Sequence, residues 1–173
     1  MFTIKESIHI NAPVEEVWKV SALDFGGIYK WQSGVNHSTA EGTGPNAAPC
    51  QERVCSVNVK GFSKTHEQFV SYEPKQHRFA YKVVQGMPSF VKSAVNEWTY
   101  VREGKGTRLT MEAQMNVPGL MGFIMGPLMR RQMKKLLGEA LEELKFYLEE
   151  GKPHPRKLAA MQAYAKKQPI LAV

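Results

Sequence analysis

The sequence predicts an α+β fold in which a curved antiparallel sheet of seven strands surrounds one long C-terminal helix. Residues 35–117 form short runs of alternating apolar and polar side chains separated by turn residues, a pattern typical of successive hairpins. From Pro118 to about Glu150 the apolar residues recur instead at helical spacing. Because a twisted sheet has one concave face, the long helix is expected to cover that face.

The first strand and two short helices precede this β region. Isoleucines alternate with polar residues over residues 2–10, which predicts a strand. A first short helix is expected from Pro13, because the fixed φ of proline suits the first helical turn. A second is expected over residues 25–31, and Gly34 ends this unit.

Six further strands are expected between residue 35 and residue 117. Glycine and proline clusters divide this region, and the short spacers between runs favour hairpins and therefore an antiparallel meander. The predicted strands lie near residues 35–41, 50–59, 64–72, 77–85, 90–102 and 106–117.

The turn at Gly104-Lys105 fixes the register of the last hairpin. A two-residue turn there places Arg102 opposite Thr107, and a slip by one residue would bury Arg108 and Glu112. The side chains that this register directs inward are Ala94, Asn96, Trp98, Tyr100, Leu109, Met111, Ala113 and Met115.

The hairpin formed by the strands at 64–72 and 77–85 is expected to add a second inward set. Placing Ser71 opposite Phe79 sets Phe69 opposite Tyr81 and Glu67 opposite Val83, all on the inner face. His66 then faces outward.

The long helix is expected to consist of two pieces, because Gly126-Pro127 favours a kink or a break. Its first part, residues 119–129, is apolar on all sides, whereas a solvent-facing helix needs a polar side. Three interpretations remain open: a segment buried over a cavity mouth, a mobile gate that touches apolar cargo or a membrane, and a subunit interface. The inward residues expected from this part are Leu120, Ile124 and Leu128.

Charge separates the body of the chain from its end. The net charge is +7, and residues 151–173 hold five cations and no acid, which leaves +2 for residues 1–150. We therefore expect one domain over residues 1–150 and a basic tail over residues 151–173. The nearly balanced body argues against nucleic-acid binding. The tail is expected to be a solvated terminus or a short basic helix in weak contact with an anionic membrane surface.

The sequence favours a cytoplasmic protein without metal or cofactor. It has no apolar run of membrane-spanning length, and its two cysteines, Cys50 and Cys55, are expected to point to opposite faces of one strand as free thiols. We find no Cys/His spacing typical of zinc, no phosphate-binding loop, no dinucleotide fingerprint and no activated nucleophile.

Three stretches resemble the START/birch-pollen-allergen-like superfamily, also called SRPBCC, and within it the polyketide cyclase/dehydrase branch. They are the strand–Ala-Pro–helix pattern of residues 7–18, the tryptophan before strand two in residues 31–35, and residues 96–100 with 104–109 and 120–148. The resemblance spans about residues 1–150. It implies the helix-grip fold and a hydrophobic cavity, but not one function, because members bind lipids, hormones, sterols or polyketides and some catalyse cyclisation or dehydration.

The inner face is the expected ligand site, with a fully packed core as the alternative. Polar groups in an apolar pocket commonly set specificity, so Asn96, Glu67 and Tyr81 are the candidates for catalysis or orientation. A carboxyl group in an apolar cavity could act as acid or base, unless Glu67 pairs with a nearby Lys or Arg. The expected ligand-binding residues are Phe69, Phe79, Tyr81, Asn96, Trp98, Tyr100, Leu109, Met111, Ala113, Met115, Leu120, Ile124 and Leu128.

The function expected from these observations is binding, or binding and transport, of a small hydrophobic ligand such as a lipid, an isoprenoid or an aromatic polyketide. The first alternative is a cyclase or dehydratase that uses the polar pocket residues. The second is a protein-interaction module that uses residues 119–129. The chain is expected to be a monomer or a homodimer.

Overall fold

The computed structural model describes residues 1–59 and 62–167 and contains one antiparallel sheet of seven strands. The spatial order is β1-β7-β6-β5-β4-β3-β2, so β1 and β2 are the edge strands. The predicted α+β class is confirmed, and so is the antiparallel meander from β2 to β7. The strands are β1 Phe2–Ile10, β2 Val35–Glu41, β3 Glu52–Val59, β4 Phe62–Glu73, β5 Arg78–Gln85, β6 Ser93–Glu103 and β7 Gly106–Asn116.

Three larger helical units accompany the sheet, besides short 3-10 helices at Pro45–Ala47 and Pro74–Gln76. The first comprises α1 (Val14–Trp18), a π-helical turn (Lys19–Leu23) and a 3-10 helix (Phe25–Lys30), and it occupies the predicted place between β1 and β2. Helix α2 spans Gly119–Glu150, and helix α3 spans Pro155–Lys167.

Helix α2 is continuous through Pro127, so the predicted break is wrong, while the predicted kink stays a prediction. Proline removes one backbone donor and leaves the carbonyl of the preceding turn without a partner. Pro127 lies on the exposed side of the helix, where water can satisfy that carbonyl. The local cost therefore does not break the helix.

The predicted register of the last hairpin is confirmed, with Arg102 opposite Thr107 and Trp98 opposite Met111. In the β4–β5 hairpin, Phe69 lies opposite Tyr81 as predicted. The expected pairing of Ser71 with Phe79 is wrong, because a register shift between Phe69 and Ser71 places Ser71 opposite Ala80. A β-bulge of this kind adds a residue to one strand and displaces all later pairs.

Aromatic side chains fill one part of the concave face. Trp18 of α1 lies 5.2 Å from Tyr100 and 5.9 Å from Phe79, measured between ring centroids. Phe25 of the 3-10 helix lies 4.4 Å from Phe69. These rings pack edge-on or tilted, as aromatic rings prefer, and leave the free space to the part of the sheet that α2 covers.

Helix α3 is attached to the body through buried polar groups. The carboxylate of Glu143 on α2 accepts hydrogen bonds from Ser33 N (2.8 Å), Ser33 Oγ (2.7 Å) and Arg156 Nε (2.9 Å). The ammonium group of Lys157, also buried, donates to the carbonyl oxygen of Val35 at 2.7 Å. Burial lowers the pKa of Lys157, although Glu143 partly offsets this effect.

Candidate functional site

A cavity of about 200 Å³ lies between the concave face of the sheet and α2. Strands β3 to β7 provide its floor, and the middle of α2 provides its roof. The loop after the 3-10 helix and the β5–β6 connection complete its wall. The roof residues are Met133, Leu136, Leu137 and Ala140.

Six of the residues expected at the ligand site line this cavity: Tyr81, Asn96, Trp98, Met111, Ala113 and Met115. Four others, Phe69, Phe79, Tyr100 and Leu109, are buried in the core but do not line it. Phe69, Phe79 and Tyr100 belong to the aromatic cluster around Trp18 and Phe25. Their rings therefore contact other rings and do not line the cavity.

The three expected helix residues lie elsewhere. Leu120, Ile124 and Leu128 are exposed and do not line the cavity, so their inward placement is wrong. The inward face of this part of α2 is formed by small residues and methionines, because the helix passes close to the chain before it. A Cβ atom on Gly122 would collide with the carbonyl oxygen of Val117.

A buried ion pair forms one wall of the cavity. Arg53 of β3 lies directly opposite Glu67 of β4, and its Nε donates to Glu67 Oε2 at 2.8 Å. Its Nη1 donates to the carbonyl oxygen of Phe25 at 2.7 Å, and its guanidinium carbon lies 3.6 Å from the centroid of the Phe25 ring. Burial alone would lower the pKa of Arg53, but the neighbouring carboxylate of Glu67 raises it above its usual value.

The side chain of Glu67 therefore pairs with an arginine, which is one of the two alternatives that the sequence left open. This arrangement supplies a buried carboxylate with a cationic partner, which is the usual condition for burying a charge. The described residues donate hydrogen bonds only to its Oε2 atom.

Tyr81, Asn96 and Trp98 add neutral polar groups to the same cavity. Asn96 Nδ2 donates to the hydroxyl oxygen of Tyr81 at 3.1 Å. Burial raises the pKa of Tyr81, and Glu67 raises it further, so the phenol keeps its proton at physiological pH. Asn96 Oδ1 and Trp98 Nε1 are buried and have no partner among the described residues.

The thiols near the cavity are poor nucleophiles. Burial raises the pKa of Cys55 to about 11, which keeps the thiol protonated. Burial also raises the pKa of Cys50. Within residues 1–59 and 62–167, no group of three or more His, Cys, Asp or Glu side chains is arranged to hold a metal ion.

Arg53 is a charged cavity residue that the sequence reasoning missed. An arginine in a strand is normally taken to face solvent, since charged side chains are rarely buried without a partner. Strand alternation carried a signal, however, because Arg53 shares its face with Cys55 and Val57. A register for the β3–β4 hairpin would have placed it opposite Glu67.

Solved structures of low sequence identity share this fold. A protein from Thermus thermophilus has a TM-score of 0.67 at 18% identity, with 92% of this chain and 99% of that chain covered. A START superfamily protein from Mycobacterium smegmatis has a TM-score of 0.72 at 14% identity, with coverage of 87% and 99%. Ara h 8.0201 has a TM-score of 0.65 at 12% identity, with coverage of 86% and 98%.

Among curated proteins, none matches the sequence. The family model described as "Polyketide cyclase / dehydrase and lipid transport" matches residues 1–149, and thus all of the sheet and nearly all of α2. Helix α3 lies beyond the matched part. With its helix-grip architecture and START-like relatives, the chain belongs to the polyketide cyclase/dehydrase and lipid transport family of the SRPBCC superfamily.

Proposed function

We propose that the chain binds a small, mainly apolar ligand that carries one polar group, in the cavity beneath α2. The observation that carries the proposal is the combination of apolar walls with two unpaired polar atoms, Asn96 Oδ1 and Trp98 Nε1, among the described residues. A buried polar atom without a partner costs about 1–3 kcal/mol. A ligand hydroxyl can both accept from an N–H group and donate to a carbonyl oxygen, so it suits this pair of atoms.

The cavity volume limits the size of the ligand. An engineered apolar cavity of about 150 Å³ holds one benzene molecule. At about 200 Å³, the cavity suits one or two fused rings, or a short isoprenoid, each with a hydroxyl group. A longer lipid or a multi-ring polyketide requires α2 or the β5–β6 connection to move outward.

Binding is favoured over catalysis by the state of the polar groups. A cyclase or dehydratase that used Glu67 as acid or base would have to release its carboxylate from Arg53. The hydroxyl of Tyr81 is neutral and bonded to Asn96. General acid–base catalysis needs a group that can exchange a proton with the ligand, and both groups are engaged by other residues of the chain.

Filling the cavity is expected to weaken ligand binding without unfolding the chain. Ala113 lines the cavity, so Ala113→Leu places extra methyl groups in the space available to the ligand. We expect 1-naphthol to bind about tenfold more weakly to this variant, since the displaced ring loses most of its apolar contact. Isothermal titration calorimetry measures the change, and thermal unfolding should show no loss of stability.

The matched control is Ala165→Leu, which makes the same replacement at an exposed position of α3. It should leave 1-naphthol binding unchanged. Naphthalene, which lacks the hydroxyl, should bind the wild type more weakly than 1-naphthol, and Trp98→Phe should reduce that difference. Equal binding of 1-naphthol by the wild type and Ala113→Leu would place the ligand outside this cavity.

A further inference from the structure

The outer face of the first third of α2 is strongly apolar. Isolated exposed apolar residues are common on protein surfaces, but a contiguous group of this size marks an interaction site. Phe123 is 83% exposed and Leu120 is 72% exposed. With Met121, Ile124 and Leu128, these residues form what we call the apolar tip.

The fold does not need these side chains. The inward face of the same turns is supplied by Gly122, Gly126 and Met129, and the close approach of Gly122 to Val117 prevents the helix from turning its leucines inward. The apolar tip therefore remains on the surface, where it contributes no core contacts.

Basic residues continue the same helix face beyond the apolar tip. Arg131 and Lys135 follow Leu128 at one-turn spacing, and Arg130 and Lys134 lie beside them. Residues 113–138 include these four cations and no acidic residue.

Two neighbouring segments bring further positive charge to this end of the sheet. Residues 1–5 pair with the end of β7, and the backbone N–H of Lys92 donates to Asn116 at 2.8 Å. Neither residues 1–5 nor residues 86–96 contain an acidic side chain. Ion pairs with acids just outside these segments are formed by Lys5, Lys134 and Lys135, whereas Arg131 and Lys92 have no carboxylate partner among the described residues.

We propose that this end of the molecule docks on the surface of an anionic lipid bilayer, with the apolar tip inserted and the cations at headgroup level. The tip spans about ten residues, or about 15 Å of helix, before the first cation. That order of apolar and basic side chains is typical of helices that lie in the membrane interface. Within the described residues, no helix is long and apolar enough to cross a membrane.

Charge distinguishes this partner from a second copy of the chain. Phosphatidylserine headgroups supply the negative charge that Arg131 and Lys92 lack, and each Lys or Arg near such a surface raises the affinity about fivefold. A second copy of residues 113–138 offers no carboxylate to them. The inference goes beyond ligand binding and does not depend on it, although Met133 and Met115 extend the cavity wall toward this face.

Co-sedimentation of the full chain with phosphatidylcholine vesicles, with and without phosphatidylserine, tests the inference. We expect binding that requires phosphatidylserine and weakens as salt is raised. The double variant Phe123→Ser, Ile124→Ser should bind about a hundredfold more weakly, because both side chains lose their burial in the acyl region. The variant Arg131→Gln should bind about fivefold more weakly to vesicles that contain phosphatidylserine. Its binding to vesicles of pure phosphatidylcholine should not change.

The control is Leu158→Ser with Met161→Ser, which replaces two exposed apolar side chains on α3. This variant should bind vesicles like the wild type, and loss of binding there would overturn the inference in favour of α3. Failure of the wild type to bind anionic vesicles at low salt would also overturn it. A third outcome would also overturn it: a wild-type dimer in analytical ultracentrifugation that becomes a monomer in the double variant Phe123→Ser, Ile124→Ser. Titration of each variant with 1-naphthol separates loss of docking from loss of ligand binding.

Discussion

Replacing Arg53 with methionine is expected to lower the free energy of unfolding by about 3–5 kcal/mol, because removing one partner of a buried ion pair leaves the other charge uncompensated. The carboxylate of Glu67 would lose its cationic partner, and the carbonyl oxygen of Phe25 would lose its donor. Urea denaturation monitored by tryptophan fluorescence measures the change.

The double variant Arg53→Met, Glu67→Met provides the matched control. It removes both charges together, so it should recover part of the lost stability, as replacement of a whole buried ion pair by apolar side chains often does. The carbonyl of Phe25 remains without its donor, which limits the recovery. A double variant less stable than Arg53→Met would contradict the view that the unpaired carboxylate is the source of the loss.

Replacing Glu143 with leucine is expected to cost about 3 kcal/mol and to release α3, because hydrogen bonds to a charged group contribute about 1.5–3 kcal/mol each. Glu143 is 1% exposed and bonds both Ser33 and Arg156. Hydrogen exchange should therefore show that the amides of residues 155–167 lose their protection, while chemical denaturation reports the global change.

The variant Arg156→Met separates the two roles of Glu143. Arg156 is partly exposed and holds α3 to Glu143 and Glu142, whereas Ser33 belongs to the body of the domain. Its replacement should increase hydrogen exchange in α3 yet lower the global stability by less than Glu143→Leu does, because Glu143 keeps both hydrogen bonds from Ser33. A global loss as large as that of Glu143→Leu would refute this division.

The sheet could be predicted from the sequence wherever a turn and an alternating pattern agreed. The turn at Gly104-Lys105 determined one end of the last hairpin. The slipped register was excluded because it would bury the charged side chains of Arg108 and Glu112. In the β4–β5 hairpin the same reasoning succeeded up to Phe69 and failed beyond it. Nothing in the residue types there indicates that one extra residue interrupts the pairing with β5.

The orientation of the first part of α2 was harder to predict, because its most apolar side chains are not its most buried ones. Leu120, Ile124 and Leu128 are more apolar than Gly122, yet Gly122 lies against the carbonyl oxygen of Val117 and the larger residues face outward. Close approach of two backbones selects small side chains regardless of hydrophobicity. An interpretation based only on the spacing of apolar residues therefore assigns the wrong face of this helix to the core.

Three rings of the aromatic cluster lie behind the cavity wall, and this placement has a consequence for how such a protein can diversify. Trp18, Phe25 and Phe79 hold the sheet to the short helices without touching the cavity. Met111, Met115 and Met133 line the cavity, and methionine tolerates changes of shape in its surroundings. Substitutions can therefore accumulate around the cavity and change its shape, while the residues that secure the architecture stay the same.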